Sequence, residues 1–189
     1  MKEEKNSETL KALLILDLDE TLIHSSSVEL GRPADFNICG FNVYKRPYLD
    51  EFLTKVFNLY RVAIWSTGSD DYVTEIANAI LPSGMRYEFI WGRSRCTAKK
   101  LSEEEYFYGG VIEYTKPIKK LRKKGYRRER ILIVDDSPQK VTDNYGNAIY
   151  IDEYLGDSKD LDLKHLINYL IEIEEIPNYR SLEKRGWKS

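Results

Sequence analysis

The chain has 189 residues, of which 42% are hydrophobic and 32% charged, and its formal net charge is −2. This length is enough for one domain with a buried core, and the composition is that of a globular protein rather than a disordered one. The small net charge excludes a whole-chain electrostatic case for binding nucleic acid or an anionic membrane. No apolar run approaches the length of about 20 residues that spans a bilayer, so we expect no membrane partner.

We expect both ends of the chain to lie outside a single folded domain. The N-terminal segment is charged and lacks the apolar core of a signal peptide, so we interpret residues 1–11 as a flexible lead-in. We expect the folded domain at 12–180 and a C-terminal tail at 181–189. The only cysteines, Cys39 and Cys96, have no partner at metal-ligand spacing and suit a reducing compartment. These features predict a cytoplasmic protein, or a nuclear one if the source is eukaryotic.

The most informative stretch, at 13–25, reads LLILDLDETLIHS. The apolar run 13–16 predicts a fully buried strand of a parallel sheet. Asp17 and Asp19 follow it at alternate positions, so the strand delivers carboxylates to the carboxyl edge of the sheet, where open α/β sheets bind ligands. Two acids this close repel each other and are costly to desolvate. A divalent cation held between them would remove both problems.

Strands and helices alternate along the rest of the chain. We expect a β-hairpin pairing 36–39 with 41–44, a helix from Pro47 to about Tyr60, a strand at 61–65 and a helix that Ser69 or Asp70 caps and that runs to Ile80. Further along we expect strands at 87–91, 131–134 and 148–151, a short basic helix between Pro117 and Gly125, and a last helix at 161–173. Residues 92–114 read as an exposed excursion. This alternation predicts an α/β fold with a doubly wound parallel sheet, short β-hairpin insertions and no large cap domain.

Three strand ends carry polar side chains that a right-handed winding would bring to one crevice. The strand that ends at Asp17 would lie centrally, between the strand that ends at Ser66 and the strand that ends at Asp135. Phosphoryl transfer needs a nucleophile, positive charge against the phosphoryl oxygens and a proton donor for the leaving group. Asp17 can attack phosphorus, and Lys116 can supply the fixed positive charge. The set therefore indicates phosphoryl-transfer chemistry.

The remaining groups complete this hypothesis. Asp19 can protonate the leaving oxygen and then accept a proton from water, and Ser66 can donate to a phosphoryl oxygen. Asp136, with Asp135 beside it, offers the oxygen ligands that Mg²⁺ prefers. Asp135 has two other interpretations, as a structural cap or as a carboxylate that orients Lys116.

Five segments resemble the haloacid dehalogenase (HAD) superfamily of aspartyl-phosphate phosphatases. The similarity is closest to its branch of small phosphatases of the RNA polymerase II C-terminal domain, also called NLI-interacting-factor-like phosphatases. The segments are LDLDETLIHSS at 16–26, KRPYLDEFL at 45–53, AIWSTGSDDY at 63–72, YTKPIKKL at 114–121 and ILIVDDSPQKV at 131–141. The resemblance implies a HAD-like Rossmannoid fold over 12–180. It also implies a Mg²⁺-dependent phosphomonoesterase whose substrate is a phosphoserine or phosphothreonine protein.

The resemblance also assigns roles to individual residues. Asp17 would be the nucleophile and Asp19 the acid and base, and Thr21 would brace the loop that holds them. Asp17, the Asp19 backbone carbonyl and Asp136 would bind Mg²⁺, with Asp135 adjoining them. The implied phosphate-binding residues are Asp17, Ser66, Thr67 and Lys116.

Two departures from the branch concern the substrate. The loop at 24–44 is shorter than usual, and an acidic, tyrosine-rich run, SEEEYFY, precedes Lys116. Two alternatives therefore stay open: a phosphatase for a small metabolite or a nucleic-acid end, and a catalytically silent binding module. The intact pair of Asp17 and Asp19 argues against the second.

Overall fold

The structure is a computed structural model, and it describes residues 11–100, 102, 104, 107 and 112–188. The lead-in expected at 1–11 falls outside the described residues except for Lys11. Part of the excursion expected at 92–114 also lies outside them.

A five-stranded parallel sheet forms the centre of the fold, in the order β10-β9-β1-β5-β6. In chain order the strands are β1 (Leu13–Leu16), β2 (Ile23–Ser26), β3 (Phe36–Ile38), β4 (Phe41–Lys45), β5 (Arg61–Trp65), β6 (Ile90–Trp91), β7 (Thr97–Ala98), β8 (Tyr114–Thr115), β9 (Ile131–Asp135) and β10 (Ala148–Tyr150). The α-helices whose bounds the structure describes are α1 (Leu49–Leu59), α2 (Asp70–Ile80) and α3 (Asp162–Ile173). β1 pairs with β5 on one side and β9 on the other, which confirms the predicted doubly wound fold and the central place of β1.

The continuous apolar sequence of β1 follows from the burial of both faces of the sheet. Leu14 and Leu16 belong to the core cluster that includes the apolar faces of the α-helices. Leu13 and Ile15 belong to a second cluster, with Trp65 and residues of a 3₁₀ helix. Each such side chain contributes about 1.5–3 kcal/mol by leaving water, so an inward charge within β1 would be strongly destabilising.

Small antiparallel elements flank the sheet. β2, β4 and β3 form a three-stranded sheet that contains the predicted hairpin. β7 pairs with β8, which joins the two ends of the 92–114 segment and leads the chain directly to Lys116. Among the described residues, no helix combines the length and the apolar character needed to cross a bilayer.

Two predicted elements differ in detail from the structure. The basic segment after Pro117 forms a 3₁₀ helix over Ile118–Lys124, closed by Gly125 with a φ of +83°. The strand expected at 87–91 is reduced to Ile90–Trp91, although the Glu88 N–H still donates to the Val62 carbonyl, 2.8 Å away. At the chain end Trp187 is buried, and its Nε1 donates to the Tyr150 carbonyl at 2.8 Å, so this part of the tail packs on the domain.

Candidate active site

The loop after β1 begins with Asp17 at the carboxyl end of the central strand. The Asp17 N–H donates to the Val134 carbonyl at 3.1 Å, which continues the β1–β9 pairing by one residue. A tight turn follows, in which the Leu18 carbonyl accepts from the N–H groups of Thr21, Leu22 and Ile23. Glu20, within this turn, has a φ of +59°, an uncommon value for a residue other than glycine. The turn holds the acidic side chains close to the end of the sheet.

The Asp17 carboxylate is buried and faces the ammonium of Lys116. Lys116 Nζ lies 2.7 Å from Asp17 Oδ1 and 2.7 Å from Asp135 Oδ2, and the Lys116 side chain is fully buried. The Lys116 N–H donates to the Lys140 carbonyl at 2.8 Å, which anchors this residue just beyond β8. The structure therefore brings Asp17, Lys116 and Asp135 together, although they lie far apart in the sequence.

Burial and ion pairing set the charges of this cluster. Burial alone would raise the pKa of Asp17, but the ammonium groups of Lys116 and Lys140 outweigh it and lower the pKa. Burial would lower the pKa of Lys116, but Asp17 and Asp135 raise it above its usual value. Burial and the neighbouring Asp17 raise the pKa of Asp135 to about 7. Asp17 is thus the carboxylate that the surrounding charges most favour in the ionised form, as a nucleophile requires.

Asp19 lies in a different environment from Asp17. The Ser66 hydroxyl donates to Asp19 Oδ2 at 3.2 Å, and the Tyr72 hydroxyl donates to Asp19 Oδ1. Burial and the nearby Asp17 raise the pKa of Asp19, while these two hydrogen bonds oppose the change. Two carboxyl groups whose pKa values move in opposite directions are suited to separate roles, one as nucleophile and one as proton donor.

Thr21 connects the loop after β1 to the loop after β9. Its Oγ1 accepts from the Asp136 N–H at 3.1 Å and lies 3.3 Å from Asp136 Oδ1, to which it donates. The Ser137 hydroxyl donates to Asp136 Oδ2 at 2.7 Å, and the Ser137 N–H donates to Asp135 Oδ1 at 2.9 Å. Thr21 therefore orients Asp136. This contact adds to the role that the resemblance implies for Thr21, which is to brace its own loop.

The carboxylates form a group that fits a divalent cation. One oxygen each from Asp17, Asp135 and Asp136 lie within 4.8 Å of one another. Mg²⁺ prefers such oxygen ligands. Asp135 already accepts from Lys116 and from the Ser137 N–H, which favours a role in orienting Lys116. The Asp19 carboxylate accepts hydrogen bonds from Ser66 and Tyr72, and the role of its backbone carbonyl as a metal ligand stays a prediction.

Ser66 and Thr67, the hydroxyl residues expected to bind phosphate, follow the last residue of β5. Ser66 is buried, and its oxygen accepts from the Gly68 N–H at 3.0 Å in addition to its bond with Asp19. Thr67 lines an open groove of about 500 Å³ together with Arg93, Tyr114 and Lys140. The Arg93 Nε donates to the Thr67 carbonyl at 2.9 Å, and its guanidinium lies 5.4 Å from the Tyr114 ring centroid. The groove thus has a cationic and aromatic wall.

Two residues at the site were not identified from the sequence. Lys140 Nζ lies 3.4 Å from Asp17 Oδ2 and 3.5 Å from Asp136 Oδ1. Tyr72, in the first turn of α2, reaches Asp19. The spacing of Lys140, four residues after Asp136, is a weak signal, and the direction of its side chain depends on the 3₁₀ helix of Pro138–Asn147. Tyr72 has no distinguishing spacing, because its contact with Asp19 depends on how α2 packs beside β6 and β3.

Comparison with known sequences identifies relatives for most of the chain. Residues 12–180 match the profile of a family described as NLI interacting factor-like phosphatase. The CTD small phosphatase-like protein 2 of Dictyostelium discoideum is 28% identical over 183 residues, which cover 93% of this chain and 30% of that protein. The CTD nuclear envelope phosphatase 1 homolog of Caenorhabditis elegans is 28% identical over 194 residues, which cover 95% of this chain and 73% of that protein.

The fold has counterparts among solved structures. The structure of Fcp1, described as an essential RNA polymerase II CTD phosphatase, superposes with a TM-score of 0.63 at 16% sequence identity, over 93% of this chain and 66% of that one. At this identity the likeness concerns the fold alone. The chain spans only about a third of the length of two of the curated relatives that it matches.

Proposed function

This chain belongs to the family of NLI interacting factor-like phosphatases, and from that premise we propose that it is a Mg²⁺-dependent phosphomonoesterase. We infer that the reaction passes through a phosphoryl group carried on Asp17. The observation that carries the proposal is the buried Asp17 carboxylate, with Lys116 Nζ 2.7 Å from one oxygen and the carboxylates of Asp135 and Asp136 beside it. The substrate would be a protein that carries phosphoserine or phosphothreonine.

In the first half-reaction Asp17 acts as the nucleophile and Asp19 as the general acid. An oxygen of Asp17 forms a bond to phosphorus as the bond from phosphorus to the substrate oxygen breaks, and Asp19 gives its proton to that departing oxygen. Burial and the neighbouring Asp17 raise the pKa of Asp19, which favours its protonated form. In the second half-reaction water attacks phosphorus and passes a proton back to Asp19. Inorganic phosphate leaves, and the Asp17 carboxylate is restored.

The Asp17 carboxylate needs a neighbouring positive charge throughout this cycle. Lys116 is fixed by Asp135, so its ammonium stays beside the reacting carboxylate without reorganisation. Asp17, Asp136 and the Asp19 backbone carbonyl would hold Mg²⁺, which the all-oxygen carboxylate group fits. When bound, the ion would supply further positive charge against the phosphoryl oxygens. Asp135 serves in this scheme by orienting Lys116.

The proposed protein substrate is supported by the groove and by the relatives. The groove at Thr67 and Tyr114 opens beside Lys140 and can accept a chain that continues past the phosphate. The names of several relatives describe CTD small phosphatases, and one of these names specifies the carboxy-terminal domain of RNA polymerase II. We take from them only the class of substrate, a phosphorylated protein segment.

We also infer an intracellular location. Cys39 and Cys96 are both free thiols, and the Cys96 thiol makes weak hydrogen bonds to the Ser66 and Gly92 carbonyls. Free thiols persist most readily in a reducing compartment. Labelling of both cysteines by a membrane-permeable maleimide in intact cells, and by an impermeant one only after lysis, would support the inference; labelling of intact cells by the impermeant reagent would contradict it.

Hydrolysis of p-nitrophenyl phosphate tests the activity. We expect turnover that requires Mg²⁺ and is abolished by Asp17→Asn, which keeps the shape of the side chain and removes its charge. The matched control is Asp143→Asn, the same change at an exposed position, which should keep the wild-type rate. Turnover by Asp17→Asn at the wild-type rate, or no turnover by the folded wild-type protein with Mg²⁺, would contradict the proposal.

A substrate panel then distinguishes the three alternatives. Phosphoserine and phosphothreonine peptides should give a higher kcat/KM than sugar phosphates or oligonucleotides with 5′- or 3′-phosphates. A preference for sugar phosphates or oligonucleotides would reassign the substrate. Tight peptide binding without turnover would identify a binding module.

A further inference from the structure

Lys140 is a charged residue at the site that the proposed chemistry leaves unused. Its Nζ lies 3.4 Å from Asp17 Oδ2 and 3.5 Å from Asp136 Oδ1. The ammonium is therefore near the same two carboxylates that would hold Mg²⁺. Lys116 has a different place, because its Nζ contacts the other oxygen of Asp17 and is fixed by Asp135.

The backbone of Lys140 is held in position while its side chain has room to move. Its N–H donates to the Ser137 carbonyl at 3.0 Å, and its carbonyl accepts from the Lys116 N–H at 2.8 Å. Its side chain keeps 21% of its surface exposed, whereas that of Lys116 is completely buried. Lys140 also lines the groove with Thr67. The ammonium can therefore leave the carboxylates by rotation about side-chain bonds alone.

The Lys140 ammonium and a divalent cation cannot both occupy this position without a large electrostatic penalty. An ammonium and a divalent ion repel each other at a few ångströms, and the repulsion is strong where the surroundings are partly buried. Long contacts of 3.4 and 3.5 Å to two carboxylates also indicate a weaker attachment than the 2.7 Å contacts of Lys116. Binding of the metal would thus displace Lys140 before Lys116.

We propose that Lys140 is a tethered competitor of the divalent cation. In the metal-free protein its ammonium compensates the charge of Asp17 and Asp136, and on metal binding it turns away into the groove lined by Thr67 and Tyr114. This inference rests on the Mg²⁺ site of the proposed function. It assigns Lys140 a role in setting the affinity of the site for the metal.

Mg²⁺ binding measured by isothermal titration calorimetry tests the proposal. Lys140→Met keeps the aliphatic stem and removes the ammonium, so we expect it to bind Mg²⁺ about tenfold more tightly than the wild-type protein, or tighter still. The matched control is Lys119→Met, which removes the same charge from an exposed position and should bind like the wild type. Equal or weaker binding by Lys140→Met, or no binding by any of these proteins, would overturn the proposal.

Thermal stability gives a second readout that does not depend on turnover. Without metal, Lys140→Met loses charge compensation and should melt below the wild-type protein, and Mg²⁺ should raise its Tm by more than it raises that of the wild type. If Lys140→Met does not fold without metal, Lys140→Arg, which keeps the charge, should fold and retain the wild-type affinity. Tighter Mg²⁺ binding by Lys140→Arg, or an equal Mg²⁺-induced rise in Tm for Lys140→Met and wild type, would count against the proposal.

The two proposals can fail separately. An inactive protein in which Lys140→Met nevertheless tightens Mg²⁺ binding would refute the phosphatase and leave the competition intact. An active phosphatase whose Mg²⁺ affinity is unchanged by Lys140→Met would refute the competition alone.

Discussion

The hydroxyl of Tyr72 donates a hydrogen bond to Asp19 Oδ1, and the Ser25 hydroxyl lies 2.6 Å from the same tyrosine oxygen. Ser66 donates to the other oxygen of Asp19 at 3.2 Å. Residues of α2 and of the end of β5 thus hold the side chain that we assign as the proton donor. Its orientation depends on the packing of α2 as well as on the loop after β1.

Removing the Tyr72 hydroxyl should impair proton donation to the leaving group. We expect Tyr72→Phe to lower kcat/KM about tenfold for a phosphoserine peptide, and Asp19→Asn to lower it about 100-fold or more. The effect should be much smaller for p-nitrophenyl phosphate, because p-nitrophenolate leaves without protonation. Steady-state kinetics with both substrates measure the difference.

Tyr87→Phe, the same change at an exposed tyrosine, is the control and should leave kcat/KM unchanged for both substrates. An equal loss of kcat/KM for the two substrates in Tyr72→Phe would show that the hydroxyl does not act through proton donation.

The bridge between Thr21 and Asp136 predicts a link between a hydroxyl group and metal affinity. Thr21→Val keeps the side-chain shape and removes both hydrogen bonds to Asp136. We expect Mg²⁺ to bind about 10- to 100-fold more weakly, as when other partners of metal ligands are removed. Calorimetric titration measures the change, and Thr74→Val on the exposed side of α2 is the control. Unchanged Mg²⁺ affinity in Thr21→Val would mean that Asp136 is held without this bridge.

Arg46 should be a major contributor to stability. Its fully buried guanidinium donates to Asp160 and Asp162 and to the Thr21 carbonyl at 3.0 Å, so it ties the site loop to the start of α3. Arg46→Met removes the ion-pair partner of Asp160 and one of the two partners of Asp162, which keeps Lys188 at 2.7 Å. We expect a loss of about 3–5 kcal/mol in the free energy of unfolding. Urea denaturation measures it. Arg185→Met, which breaks an exposed pair, should change little, and a similarly small effect at Arg46 would refute the assignment.

The ion pair between Arg61 and Glu88 predicts a pH dependence of stability. Arg61, assisted by the Tyr126 hydroxyl and opposed by burial, lowers the pKa of Glu88 below its usual 4.5. Because the folded-state pKa is the lower one, ionised Glu88 stabilises the fold above pH 4.5, and this contribution is lost as the pH falls through the folded-state pKa.

Glu88→Gln should therefore melt at a lower temperature than wild type at neutral pH, and the difference should shrink in acid. Thermal melts across pH, with the exposed Glu172→Gln as control, measure this. A difference between Glu88→Gln and wild type that grows in acid would contradict the sign of the pKa shift.

The sequence was sufficient to predict those features that depend on strand ends. The buried run before Asp17, and the polar residues after two later strands, indicated a central strand and a shared crevice because side-chain burial and parallel winding leave few alternatives. Lys116 was predicted only from its order and spacing relative to the strand ends, since an isolated lysine carries no signal.

Other contacts depend on geometry that the sequence pattern does not encode. Lys140 reaches the acids from a 3₁₀ helix with non-helical φ and ψ values at Val141 and Asn144, so no regular period predicts its direction. Of the two residues expected to cap α2, Ser69 rather than Asp70 occupies the N-cap position, but its side chain makes no capping hydrogen bond. Gly92 explains part of the packing there, because a Cβ at this position would lie 2.8 Å from the Asp70 Cα.

Mapping of the phosphoryl group during turnover tests the central claim most directly. Enzyme quenched with acid while it hydrolyses p-nitrophenyl phosphate, then digested and sequenced by mass spectrometry, should carry a phosphoryl group on Asp17 that hydroxylamine removes. The Asp17→Asn protein should carry none. A phosphoryl group on any other side chain, or full turnover with no covalent adduct under conditions that preserve acyl phosphates, would contradict the account.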